Sequence, residues 1–410
     1  MSLKKWMYLV FINLLIVALL GVLLRYKITF SLPFFNQKYL QHGHSHFALT
    51  GWITQALMVL ISYTVSKEIN LTHFKKHQWI LIANLIASVG MLISFPIQGY
   101  GSVSIAFSSL SILVSYIYAL RVWRDVNCIS IVKPGYKWFK AALLFLVLSS
   151  VGIFFMVYLM ITKNINPNFH LAAVYMFLHF QYNGWFVFSC LGLIVNKIYD
   201  KGLEVKGLTT FFWINAIACV PAYYLSAPWL PIPKFVFVIV VLAAIFQLLS
   251  WLWIAFGMRK MASSLFSKIP SIAKWLFSLS ALAYTLKVSL QLGSTIPALS
   301  EIAFGFRPIV VAYLHLVFLG VISLFILGYA LGWVFTNLSN LARNGMIVFV
   351  VGIILNETAL MVQGVFAIGY HMVPYINEVI FGITVVMLSG VLLFNIGIHQ
   401  KEKNKEELNE

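Results

Sequence analysis

Three histidines recur on one pattern. His46 with Gly51, His179 with Gly184, and His315 with Gly320 each spell H-x4-G, and the histidines stand 133 and 136 positions apart. Neutral imidazole is a ligand for iron, copper and zinc. Histidines on separate helices that face one cavity could hold a heme axially, or a histidine-ligated metal. The glycine, about one and a half helical turns beyond, removes a side chain where a neighbouring helix or a flat ligand approaches. His44 precedes His46 by two positions near a helix start, where the two read either as a metal pair or as polar capping. No HExxH occurs, and no carboxylate accompanies these histidines as a zinc-protease or di-iron site requires.

Other ionisable groups fall in the same apolar surroundings. Lys287 and Glu357, the latter with Asn356 and Gln363 nearby, are expensive inside apolar helices unless paired or hydrated, so they read as an ion pair or as part of a proton path. Arg25, Lys38, Arg307 and Lys287 are the cations available to the carboxylates of a bound heme, or simple interfacial charges.

The elements that must position these groups follow from composition. The 410 residues are 61% hydrophobic and only 10% charged, which excludes a soluble globular enzyme, whose chain is about a quarter charged. The formal charge of +17 does not indicate nucleic acid, because Lys and Arg lie between apolar runs rather than on one patch. The three cysteines, Cys128, Cys190 and Cys219, form no CxxC and no CxxCH. Apolar runs fall near 6–24, 47–65, 79–98, 103–120, 141–161, 170–195, 208–226, 235–257, 275–293, 308–333, 345–369 and 376–398. Their length and lack of alternation make them helices, since a lipid-spanning backbone must satisfy its hydrogen bonds internally. The first is read as a retained span rather than a cleaved signal. The expectation is an all-α polytopic membrane protein: one transmembrane domain over 1–400 with about 12 spans, and a charged cytoplasmic tail at 401–410.

Twelve spans put both termini on one side. Sorted that way, 21 Lys and Arg fall in the loops and tails of one side and 6 on the other, with Lys287 left inside a span. That bias predicts N-in, C-in topology. His73, His77 and His399 then lie on the inner side as ordinary solvated residues. The other seven, including His42 and His371, cluster toward the outer side. The three H-x4-G motifs fall on spans 2, 6 and 10, all running inward, so the chain reads as a pseudo-threefold bundle of four-helix units.

These residues resemble a known family. A twelve-span bundle with histidines on the second, sixth and tenth helices is similar to subunit I of the heme–copper oxidase superfamily. In detail, His44 and His46 ahead of Gly51, and His315 ahead of Gly320, look closest to the NnrS-type heme- and copper-containing membrane proteins of the nitric-oxide response. The chain departs from the oxidases: the seventh span has no histidine, the tenth only His315, and His179 is followed by Tyr182 at i+3. The resemblance implies a heme between His46 (or His44) and His315, with copper as a further cofactor and His179 and His170 as ligands to a second metal or as gas-side partners. Gly51, Gly184 and Gly320 would shape the pocket.

The function expected is therefore a heme protein of the bacterial inner membrane that handles electrons or a diatomic gas, oxygen or nitric oxide. It would be a cytochrome oxidase-like or nitric-oxide reductase-like oxidoreductase, or a protein of the nitric-oxide response. Its partners would be membrane lipid, a small electron-donor protein or quinol, and a further subunit, without nucleic acid. The rival from another class is a secondary transporter whose histidines relay protons or metal ions.

Overall fold

The computed structural model describes the backbone of residues 1–407 and the side chains of residues 1–400. The side chains of the expected charged tail at 401–410, and the backbone of its last three residues, lie outside the described residues. The described chain is helical, with no strand. The long helices are α1 (Leu3–Thr29), α2 (Gln37–Ile69), α3 (Leu71–Gln98), α4 (Ser102–Asn127), α5 (Gly135–Ile161), α6 (167–200), α7 (Leu208–Ala218), α8 (Lys234–Arg259), α9 (Ser271–Gly293), α10 (Arg307–Trp333), α11 (Asn340–Ile368) and α12 (Ile376–Glu407).

Among the described residues nine of these are long and apolar enough to cross a membrane: α1 to α5, α8 and α10 to α12. The chain is thus a multi-pass membrane protein. Large apolar side chains such as Leu19, Ile86, Phe256 and Met361 point outward, as lipid contact requires. The runs at 170–195, 208–226 and 275–293 are also helical, in α6, in α7 with a 3-10 turn at Pro221–Ser226, and in α9.

Sequence-local signals start the helices. The Ser2 hydroxyl accepts from the Lys5 amide at α1, and Asn36 Oδ1 accepts from the amides of Lys38 and Tyr39 at α2. At α11, Ser339 Oγ accepts from the Ala342 amide and donates to Gly397 O of α12.

The chain divides into two compact units, one formed by Met1–Val114, Ile269–Phe277 and Phe306–Glu410, the other by Ser115–Lys268 and Ser278–Gly305. In the first unit α11 and α12 approach through glycines. A Cβ built on Gly345 would sit 2.5 Å from Phe394 N and 2.8 Å from Gly390 O, and one on Gly390 would sit 2.5 Å from Phe349 N. Small residues at such crossings let backbones touch where lipid supplies no hydrophobic drive for association. The motif helix α2 is the most enclosed of the nine: 78% of its apolar window is buried, against 28–44% in the others. In the second unit the buried Trp138 packs with Phe188, Phe211 and Phe212.

One expectation is overturned. His73 and His77 are not solvated but buried, at 8% and 0% exposure, with ring centroids 5.6 Å apart. They sit in a 3-10 turn (Leu71–His77) whose inner face carries His73, Phe74 and His77 while Lys75 and Lys76 point out. His399 is exposed, as expected.

Candidate functional site

Each H-x4-G motif opens a π-helical turn. The π segments are Ala48–Thr54, Phe180–Phe186 and Leu316–Ser323, beginning two, one and one residues after His46, His179 and His315. They are the π segments found among the described residues. A π turn inserts one residue into the i→i−4 ladder, displaces backbone carbonyls and is enriched at functional sites. The periodicity of an apolar run carries no sign of it.

In the first unit, buried amides collect the displaced carbonyls. Asn13 Nδ2 of α1 donates to Gly51 O at 2.6 Å, and Asn84 Nδ2 of α3 reaches Thr50 O at 3.1 Å and Gln55 Oε1 at 2.7 Å. Gln55 Nε2 in turn donates to Leu81 O. In α10, Ser323 Oγ donates to Phe318 O at 2.7 Å. Buried carbonyls left without such donors would each cost about 1–3 kcal/mol. Asn13, Gln55 and Asn84 were not among the candidates from sequence; polar amides in the middle of apolar runs were the signal.

His44 and His46 lie on opposite faces of α2, because two residues rotate a helix by about 200°. They therefore cannot share one metal, and the start of α2 is capped by Asn36 instead. His46 faces α3: its ring stacks on Phe95 at 4.3 Å and 12°, and its Nε2 lies 3.1 Å from Tyr100 Oη. Burial pushes the Tyr100 phenol above its ordinary pKa, so it stays an O–H group. His42 shares this face, with its ring 4.8 Å from that of Tyr100.

His44 instead faces α1, where a Cβ built on Gly21 would lie 3.6 Å from its Cε1. It lies within electrostatic range of His315 and Arg25. His315 Nδ1–H donates to Val311 O at 2.8 Å, which leaves Nε2 as the lone-pair nitrogen. The buried His44 Nδ1 makes no hydrogen bond. Arg25 and Arg307 lie within electrostatic range of each other, and Arg307 donates to Gln41 Oε1 at 2.7 Å. Neither guanidinium has an ion pair among the described residues. One imidazole anchored at Nδ1, a second with an unused buried nitrogen, and two cations without acids form one neighbourhood. Of His44 and His46, His44 is the one within electrostatic range of His315.

The second unit holds His179 differently. Its Nε2–H donates to Cys219 O at 2.8 Å, and its Nδ1 accepts from Ser226 Oγ at 3.1 Å and Asn183 Nδ2 at 3.0 Å. Both ring nitrogens are engaged, so a metal would have to displace one of these bonds. His170 is likewise occupied, with Nε2 on Asn164 O at 2.6 Å and Nδ1 3.2 Å from Met156 Sδ. Gly184 admits α5: a Cβ there would fall 2.3 Å from Phe145 Cβ. The nearest side chain to a Cβ on Gly51 is that of Phe47, on its own helix, and Gly320 is buried within its π turn.

The remaining ionisable candidates take neutral partners. Lys287 Nζ donates to Gln291 Oε1 at 2.6 Å, and Glu357 Oε1 accepts from Asn356 at 3.2 Å. Gln363 is bonded to Asn377, and His371 and Lys38 lie in exposed or half-exposed surroundings outside these clusters.

No protein-family model matches the chain, and no curated protein matches it.

Proposed function

We propose that the chain is a heme-binding membrane protein of the heme–copper oxidase subunit I type, similar in its motif to the NnrS-like proteins of the nitric-oxide response. His44 and His315 are the residues that would hold the iron. The observation that carries this reading is their pairing: two histidines from different helices of one unit, within electrostatic range, each with a ring nitrogen not used by the protein. The Val311 carbonyl fixes the tautomer and orientation of His315 and raises its basicity, as an outer partner does for metal-ligating imidazoles. Arg25 and Arg307, without acids of their own, would bind the two carboxylates of the porphyrin by charge-assisted hydrogen bonds.

Held between two histidines, the heme would supply one-electron transfer chemistry; a gas would bind only where one of the two imidazoles gives up its place. The activity in this reading is oxidoreductase or gas-response chemistry in an inner membrane, with a small protein or quinol as electron donor. His46, stacked on Phe95 and within reach of Tyr100, faces α3 on the opposite side of α2 from His44. Copper held at His179 or His170 would displace a present hydrogen bond.

The architecture belonging to this reading is twelve spans, N-in and C-in, in three four-helix units. Its support is the agreement of three independent features: the H-x4-G spacing, the basic-residue bias, and a π turn at each of the three motifs.

The test is an optical spectrum of detergent-purified protein, oxidised and then reduced, with a pyridine hemochrome assay. A Soret band with about one heme per chain supports the proposal. A colourless preparation from heme-replete cells sinks it and leaves the transporter.

A further inference from the structure

The second unit contains a buried lysine that the heme reading does not use. Lys287 is 3% exposed on α9, and its ammonium has one hydrogen-bond partner, the neutral Gln291 side chain at 2.6 Å. Gln291 Nε2 passes the polarity to Gln247 Oε1 of α8 at 2.9 Å. The face of the buried Tyr284 ring lies 5.6 Å from Nζ, and Tyr284 packs edge-on to Trp251 at 4.7 Å. The other ionisable groups within electrostatic range of this cluster are His179, from α6, and Cys219, which follows α7; neither is an acid in its ordinary state. A cation withdrawn from water without a carboxylate is costly, and the cost falls when an anion joins it.

A cavity lies past the end of the helix that carries Lys287 and is not lined by Lys287 itself. Its volume is about 110 Å³, room for several waters, and it is lined by Tyr224, Leu225, Val240, Ser294, Thr295 and Ser300 among others. Ser294 lies just past α9 and donates from Oγ to Gln291 O at 2.8 Å. Lys287, Gln291 and Ser294 stand at i, i+4 and i+7, so they follow one face of the helix from the buried ammonium to the cavity wall. Aliphatic and aromatic side chains make up most of that wall, which penalises strongly hydrated ions.

We propose that Lys287, with the amides of Gln291 and Gln247, forms an intramembrane site for a small, weakly hydrated monovalent anion such as nitrite, nitrate or a heavy halide, entered through this cavity. The ammonium supplies the charge, Gln291 orients it, and the Tyr284 ring closes the apolar side. This site is separate from the His44–His315 pair and does not depend on a bound heme.

The experiment is thermal unfolding of the purified full chain in detergent, with sodium nitrate replacing sodium gluconate at constant ionic strength. The expected result is a saturable rise in Tm with nitrate that is lost in Lys287→Met and kept in Lys137→Met, whose ammonium lies over Phe212 in the same unit. Should Lys287→Met not fold, iodide quenching of Trp251 in the otherwise unchanged protein reads the same site. Above the linear quenching of the exposed tryptophans, a saturable component should appear, be displaced by nitrate, and be lost in Trp251→Phe. An equal nitrate response in Lys287→Met, or linear, non-saturating quenching with no nitrate effect on Tm, overturns the proposal.

Discussion

Trp52 Nε1 donates to Ser323 Oγ at 2.8 Å, joining the π turn of α2 to the end of the π turn of α10 across 271 positions of sequence. Both partners are buried. The same Ser323 hydroxyl donates to Phe318 O, so one side chain both receives the indole and satisfies a carbonyl of the widened turn. His315 directly precedes that turn, and its position is therefore coupled to α2 through packing, whatever the site binds.

Replacing His44 or His315 with alanine should abolish heme retention, measured as the hemochrome-to-protein ratio. His46→Ala should retain heme, because its ring is engaged with Phe95 and Tyr100 on the opposite face. His399→Ala, at an exposed site, is the control. Heme kept in both His44→Ala and His315→Ala, or lost in His46→Ala alone, would reverse the ligand assignment.

Asn84→Leu should destabilise the first unit by about 1–3 kcal/mol, because it leaves Thr50 O without its donor and removes the bond to Gln55. Asn13→Leu should do the same through Gly51 O. Denaturant unfolding in mixed micelles measures this; a change below about 0.5 kcal/mol in both variants would mean that the π-turn carbonyls find other donors.

Gly345→Val and Gly390→Val should each lower stability by about 1–3 kcal/mol or more, since the new side chain meets backbone rather than a movable side chain. Gly382→Val on the same α12 helix meets nothing within 4 Å and should be neutral in the same Tm measurement. Equal effects at all three positions would deny the close α11–α12 approach.

The N-in, C-in arrangement predicts a labelling pattern. Cys128 is exposed in the connection between α4 and α5, while Cys190 and Cys219 are buried. A membrane-impermeant maleimide should leave intact cells unlabelled and modify Cys128 once they are lysed. Tyr370→Cys, at an exposed position after α11, should label in intact cells. Labelling of Cys128 in intact cells would invert the topology.

The apolar runs made the helices legible because hydrophobic length alone dictates them. The histidine spacing was legible as a repeat, yet not as a set of π turns, since one inserted residue hardly alters the composition of an apolar run. Which of His44 and His46 faces α1 and which faces α3 was unreadable in a string of three histidines at alternate positions; it depends on how α2 is rotated against those helices. His73 and His77 misled because Lys75 and Lys76 dominate the local charge, while the tight turn sends the histidines inward. The pairings of Asn13 with Gly51 and Trp52 with Ser323 are long-range, and local sequence holds no trace of them.

Each π turn also resets the angular phase of its helix. One extra residue turns everything beyond it by about 100°. The face that α2 presents after Thr54 is therefore not the continuation of the face that carries His46, and α6 and α10 are offset in the same way. A substitution scan along any of these helices should show two sensitivity waves out of register, with the break at the glycine. A single helical wheel drawn through α2, α6 or α10 would assign half of the helix to the wrong neighbour.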